Sequence, residues 1–173
     1  MEFDDLIMNP GALQVYDSIL VTLEYGGEQI CNVYNLNTKK KIGARLTRGQ
    51  GPDEMVMPQF IDNDGSCIQI IDMATSVIYK YNLADFIENP EPKPVSKAKL
   101  EENISSGMQM LGDNVIGYPY FKEHQLYVFD MSGKKINEFA DFPTSTIDYT
   151  DMERTDAYYI CLLYTSDAAD DMQ

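Results

Sequence analysis

The chain has no tryptophan, one histidine and three cysteines in 173 residues. A single histidine, His124, excludes any His-built metal cluster. Cys31, Cys67 and Cys161 match no zinc or redox spacing. Cys31 and Cys67 stand in apolar, strand-like runs and read as small buried hydrophobes. No apolar run is long enough to span a bilayer, which gives no transmembrane segment. The opening residues, Met1-Glu-Phe-Asp-Asp5, lack the basic region of a secretory signal. A lost start accounts for this better than a cytosolic protein does. Basic residues are also in the minority. There are 13 Lys and Arg against 28 Asp and Glu, a net charge of −15. Such a surface is repelled by phosphate backbones, so nucleic acid is excluded as a partner, and so is an anionic membrane surface. No window of twelve or more residues carries the 3.6-residue helical period.

Short strand-like runs are plentiful, and they recur. The first set is Ile19–Glu24, Ile30–Leu36 and Lys41–Leu46. The second is Cys67–Asp72, Val77–Leu83 and Val95–Leu100. The third is Asn114–Pro119, Leu126–Met131 and Lys135–Phe139. Ile19 to Cys67 is 48 positions and Cys67 to Asn114 is 47; Tyr34 to Tyr81 is 47 and Tyr81 to Phe129 is 48. Several strand-like runs per unit at this period mark β-propeller blades. The fold expectation is therefore all-β: an incomplete β-propeller of about three four-stranded antiparallel blades, of an expected six. The blades lie near residues 12–46, 58–100 and 107–142, and the start of a fourth spans 145–160. Turn chemistry separates the strands, as at Tyr25-Gly-Gly-Glu28, Asn63-Asp-Gly65 and Ser132-Gly133. Asp62-Asn-Asp-Gly65 superficially looks like a calcium loop. The hairpin reading prevails because Ser66 and Met73 stand where ligands would be needed. Asp85 to Pro94, with Pro90, Pro92 and Pro94, reads as an extended surface insertion and not as a helix or central strand.

The run Cys161-Leu-Leu-Tyr-Thr-Ser-Asp-Ala-Ala-Asp170 resembles a translated sequencing adapter of the kind used in transposase-based library preparation. Residues 161–173 are accordingly expected to be a non-native tail, with 1–160 the partial propeller. An open half-ring leaves strand edges and blade faces unpaired, so the isolated chain is expected to be insoluble or oligomeric.

The most distinctive local sequence is Arg48-Gly-Gln-Gly-Pro-Asp-Glu54, followed by Pro58. It fails as a phosphate cradle. Glu54 stands where a third glycine belongs, and Pro52 removes an amide donor. It reads instead as a structural blade-to-blade crossover. A second stretch, Tyr118-Pro-Tyr-Phe-Lys122 ahead of His124, offers exposed aromatic faces to a sugar, a peptide or a protein. Arg48, Tyr118, Tyr120, Phe121 and His124 form the candidate binding rim, because crossovers and the loops joining second to third strands share one propeller face. The alternative is that these aromatics pack between blades. No catalytic signature occurs, so catalytic, cofactor-binding and metal residues are all read as none.

The run Leu46-Thr-Arg-Gly-Gln-Gly-Pro-Asp-Glu-Met-Val-Met-Pro58, with Asp72 and Tyr79-Lys-Tyr81, resembles the TolB-like six-bladed β-propellers of Gram-negative gut bacteria. That family carries a G-x-G-P-x-E…P crossover after its first blade, and Gly49, Gly51, Pro52, Glu54 and Pro58 match it. The resemblance covers roughly Leu13 to Phe142. It implies an exported, often lipoprotein, location in the periplasm or anchored at the outer membrane. It assigns no reaction. The function expected is a non-enzymatic binding or scaffolding propeller of the cell envelope, with an unknown protein, peptide or glycan as partner. The alternative is a propeller-type hydrolase, lactonase or lyase with a metal at the central channel.

Overall fold

The computed structural model describes residues 10–61, 65–119 and 124–141. The expected fourth inner strand, the 161–173 tail, Asp62–Asp64 and Tyr120–Glu123 lie outside the described residues.

Twelve strands form three separate four-stranded antiparallel sheets, each in sequential order. The first holds β1 (Pro10–Tyr16), β2 (Ile19–Glu24), β3 (Gln29–Asn35) and β4 (Lys40–Thr47). The second holds β5 (Pro58–Ile61), β6 (Cys67–Asp72), β7 (Val77–Asn82) and β8 (Ser96–Lys99). The third holds β9 (Ile104–Leu111), β10 (Asn114–Pro119), β11 (His124–Phe129) and β12 (Lys135–Asp141). Contacts between sheets involve the first strands in particular, β1 with β5 and β5 with β9. Three meanders joined this way are three adjacent propeller blades, so the all-β expectation holds.

The repeat period acquires a physical meaning in the packing. Tyr34 pairs with Leu20, Tyr81 with Ile68, and Phe129 with Val115. Each large aromatic therefore holds the same register position in its blade. Tyr81 belongs to the core between the first and second sheets, with Val21, Leu23, Cys31, Val33, Ile68, Ile70 and Tyr79. Phe129 belongs to the core between the second and third, with Ile61, Ile71, Ile78, Val115 and Tyr127. The alternation of strand side chains sends one set backward and the other forward, so each blade is sandwiched. In the first blade the backward set is Leu20, Thr22, Glu24, Asn32 and Tyr34, and it is buried. It is more polar than its counterparts. Glu24 Oε1 accepts from Asn32 Nδ2 at 2.6 Å, and Asn32 Oδ1 has no partner among the described residues.

The two described cysteines are free and buried, as the sequence implied. Burial pushes the Cys31 thiol well above its ordinary value, with the Arg45 guanidinium pulling weakly the other way. A thiol so placed is inert as a nucleophile.

One expectation is corrected. Leu83–Glu88 is a helix, α1, which runs into the first part of the Asp85–Pro94 stretch read as extended insertion. Asn82 caps it, its side chain accepting from the Asp85 amide at 3.1 Å, and Pro90 follows its end. Six residues are too few for a periodicity signal. The helix exists because tertiary contacts hold it. Phe86 is fully buried in the first core, edge-on to Tyr81 with ring centroids 5.2 Å apart. At the far end, buried Arg45 of β4 donates to Phe86 O at 2.8 Å and Ile87 O at 2.5 Å. These are orphan carbonyls at a helix C-terminus, where a cation is favoured. The second blade is thereby clamped onto the outer strand of the first.

Candidate functional site

The antiparallel order places the β2–β3 turns and the blade crossovers at one end of the sheets. Hydrogen bonds confirm the adjacency. Arg48 N–H donates to Glu28 O at 2.7 Å, and Leu100 N–H makes the equivalent bond to Ser76 O at 2.8 Å one blade later. Gly26 and Gly27 turn this corner with φ of 95° and 97°, a conformation that other residues avoid.

The Arg48–Glu54 motif is built into this end. Arg48 bridges in parallel to Met55. Its guanidinium donates to Val56 O at 2.6 Å, Glu24 O at 3.1 Å and Gly27 O at 3.3 Å. The crossover is thus tied to the preceding hairpin by a charged fork. Glu54 Oε2 accepts from Gly51 N–H at 2.8 Å. A Cβ on residue 49 would lie 2.0 Å from that same Glu54 oxygen, so any larger residue there must push the Glu54 carboxylate aside. Asp72, 1% exposed, receives the other end of the crossover. Its Oδ1 accepts from Met57 N–H at 2.8 Å and Val56 N–H at 3.2 Å, and its Oδ2 from Thr75 Oγ1 at 2.8 Å. Asp53 pairs with Lys93 at 2.9 Å and Lys97 at 2.7 Å. Hydrogen bonds from Lys97 and then Lys93 hold its carboxyl down to about 2.

The other rim residues lie in the third blade. Tyr118, the last residue but one of β10, is half-buried, its ring covering Gly107 so closely that a Cβ there would sit 2.5 Å from it. His124 begins β11, with Nε2 3.2 Å from Glu138 Oε1. Glu138 is held below the usual carboxylate range, chiefly by Lys135, whose Nζ lies 2.8 Å from its Oε2. Topology brings Arg48 of the first blade and Tyr118 and His124 of the third to the same end of the sheets. Tyr120 and Phe121 lie outside the described residues.

A concavity missed by the sequence reading opens on the innermost strands. It measures about 390 Å³ and is lined by Gly11 to Gln14 of β1, Tyr25, Gln59 and Phe60 of β5, and Met108 and Gln109 of β9. A signal for it was present. Gln14 and Gln109 hold the same register position, opposite Val21 and Ile116, in inner strands that carry no charged residue. Among the described residues no three His, Cys, Asp or Glu side chains are placed to share a metal ion.

A family model for TolB-like six-bladed propellers matches residues 3–161. Among solved structures, a protein from Bacteroides fragilis NCTC 9343, named as a candidate exported protein, is 22% identical with a TM-score of 0.59. The match covers 82% of this chain and 40% of that one. The WD40 repeats of RRP9 are 10% identical with a TM-score of 0.55, covering 82% and 41%. These likenesses concern the fold, and the chain spans about two-fifths of each of the two proteins. A search of curated proteins finds no match. With three blades described and a family model matched over most of its length, the chain belongs to the TolB-like six-bladed propeller family.

Proposed function

We propose that the protein is a non-enzymatic binding or scaffolding propeller of the cell envelope, in the periplasm or anchored at the outer membrane. The observation carrying this reading is the chemistry of the inner strands. Over their described lengths, the inner strands β1, β5 and β9 carry no Asp, Glu, His, Lys or Arg. General acid–base or metal-assisted chemistry at a propeller channel needs ionisable groups there. The hydrolase, lactonase or lyase reading therefore gains no support from the described stretches. Family membership and the likeness to the Bacteroides fragilis protein support the location.

The partner-facing surface in this reading is the crossover end, with Tyr118, Tyr120, Phe121 and His124 as contact residues. Arg48 belongs to that end but has its guanidinium committed to three carbonyls. Its role is to hold the rim's shape. The test is affinity capture from solubilised envelope fractions, run beside an assay of ester, lactone and uronide substrates. A specific envelope partner lost on Tyr118→Ala/His124→Ala substitution, without turnover, supports the reading. Stoichiometric turnover of any of these substrates by the purified protein sinks it.

A further inference from the structure

We propose that the concavity walled by β1, β5 and β9 binds a small uncharged saccharide. The inference rests on the binding reading, but it concerns a different surface from the rim.

Size comes first. About 390 Å³ falls at the lower end of small-molecule sites, which run from about 300 to 1,000 Å³. This suits one or two sugar rings and not a folded partner. Charge comes next. Tyr25 is the sole titratable side chain in the lining, and the chain's net charge of −15 repels anions from its surroundings. A charged ligand finds no counter-charge here.

Hydrogen-bonding capacity then narrows the class. Gln14 is committed, its Nε2 donating to Ile61 O at 3.2 Å and its Oε1 accepting from Tyr16 Oη. The side chains of Gln59 and Gln109 have no partner among the described residues. Each carboxamide offers an acceptor beside two donors. Adjacent hydroxyls on a sugar ring complement that pattern. The apolar complement is also present. The Tyr25 ring closes over Gly11, where a Cβ would come within 1.9 Å of it, and it stays 47% exposed. Phe60 is half-buried beside it, and Leu13 is 61% exposed. An aromatic face with neighbouring amides accepts the C–H face and the hydroxyl edge of a sugar together. An extended peptide fits less well. It would run along one strand edge, whereas this concavity crosses three strands.

The full chain, which has 12 tyrosines and no tryptophan, allows tyrosine fluorescence to report ligand stacking. N-acetylglucosamine, galactose and maltose are titrated by calorimetry and fluorescence, with glucuronate and acetyl-trialanine amide as controls. Saturable binding of at least one neutral sugar is expected, with glucuronate at least about tenfold weaker. Gln59→Ala/Gln109→Ala should weaken binding about tenfold or more, the scale of two lost hydrogen bonds, with Tm unchanged. Lys97→Ala, on the outer strand, should leave affinity unchanged. If the double alanine variant melts early, Gln59→Asn/Gln109→Asn carries the same test. No saturable binding by the three sugars overturns the proposal. So does binding indifferent to both double variants, or preference for glucuronate or the peptide. Capture of a protein at the rim without sugar binding overturns this inference and leaves the binding function standing. Turnover of an ester or lactone alongside sugar binding defeats the non-enzymatic reading and leaves the sugar site standing.

Discussion

The two blade crossovers solve the same problem with different amounts of chemistry. The first runs from Thr47 to Pro58 and makes its own fold. Arg48 reaches three carbonyls, Glu54 closes the loop onto Gly51, and Asp72 fastens the far end. The second runs from Lys99 to Ile104, so its backbone has little to satisfy. Ser76 Oγ lies 3.1 Å from Asn103 Oδ1, Glu101 N–H donates to Gly133 O at 2.9 Å, and Lys135 N–H to Glu101 Oε2 at 2.9 Å. A longer connection exposes more backbone donors and acceptors, and each needs a partner if it is to be buried. The distinctive sequence of the first crossover is the solution to that accounting. A conspicuous motif here marks a structural burden, while the candidate binding chemistry sits among unremarkable glutamines on the inner strands.

The sharpest way to break this comparison is at Asp72. Asp72→Ala strands the Val56 and Met57 amides and should destabilise by about 3–4 kcal/mol. Asp72→Asn keeps one acceptor oxygen and should recover about half of the loss in denaturant melts. Equal losses would show that the carboxylate's charge matters more than its hydrogen bonds. Arg48→Ala should cost about 2–3 kcal/mol, because three carbonyls lose a charged donor. If the comparison holds, Asn103→Ala in the second crossover costs less than about 1 kcal/mol. A cost matching that of Arg48→Ala would erase the distinction between the two connections.

Gly49→Ala sharpens the account locally. The new methyl must displace the Glu54 carboxylate and should cost about 1–2 kcal/mol. Adding Glu54→Ala should then cost little more. Additive losses in the double-mutant cycle would mean that the two residues do not share space. The smallest effect concerns Asp53. Its pKa is depressed to about 2, so its contribution is complete above the unfolded value near ~3.9 and fades as pH falls toward 2. Both partners are solvent-exposed, so Asp53→Asn should lower Tm by under about 2 °C at pH 7 and by nothing measurable at pH 2.

The blades were legible because a strand period of two repeated every 47 or 48 residues is imposed by packing that recurs at every interface. Tyr34, Tyr81 and Phe129 are one register position read three times. The crossover was legible as a bend because Gly49 and Gly51 flank Gln50. Its cross-links were not, since Arg48 meets Glu24 O and Gly27 O only after the hairpin folds back. Helix α1 escaped because its stability comes from Phe86 and Arg45, 41 residues apart in sequence. The concavity escaped for a similar reason. Gln59 and Gln109 become neighbours only when successive blades stand side by side.

Native-state hydrogen exchange at the first crossover tests the central claim most directly. If the motif is a structural clamp, the amides of Met55, bonded to Thr47 O, and Met57, bonded to Asp72, exchange as slowly as those of the central strand β6. Exchange at the rate of the exposed Asn37–Lys39 turn would contradict it and return Arg48 to the list of residues free to meet a ligand.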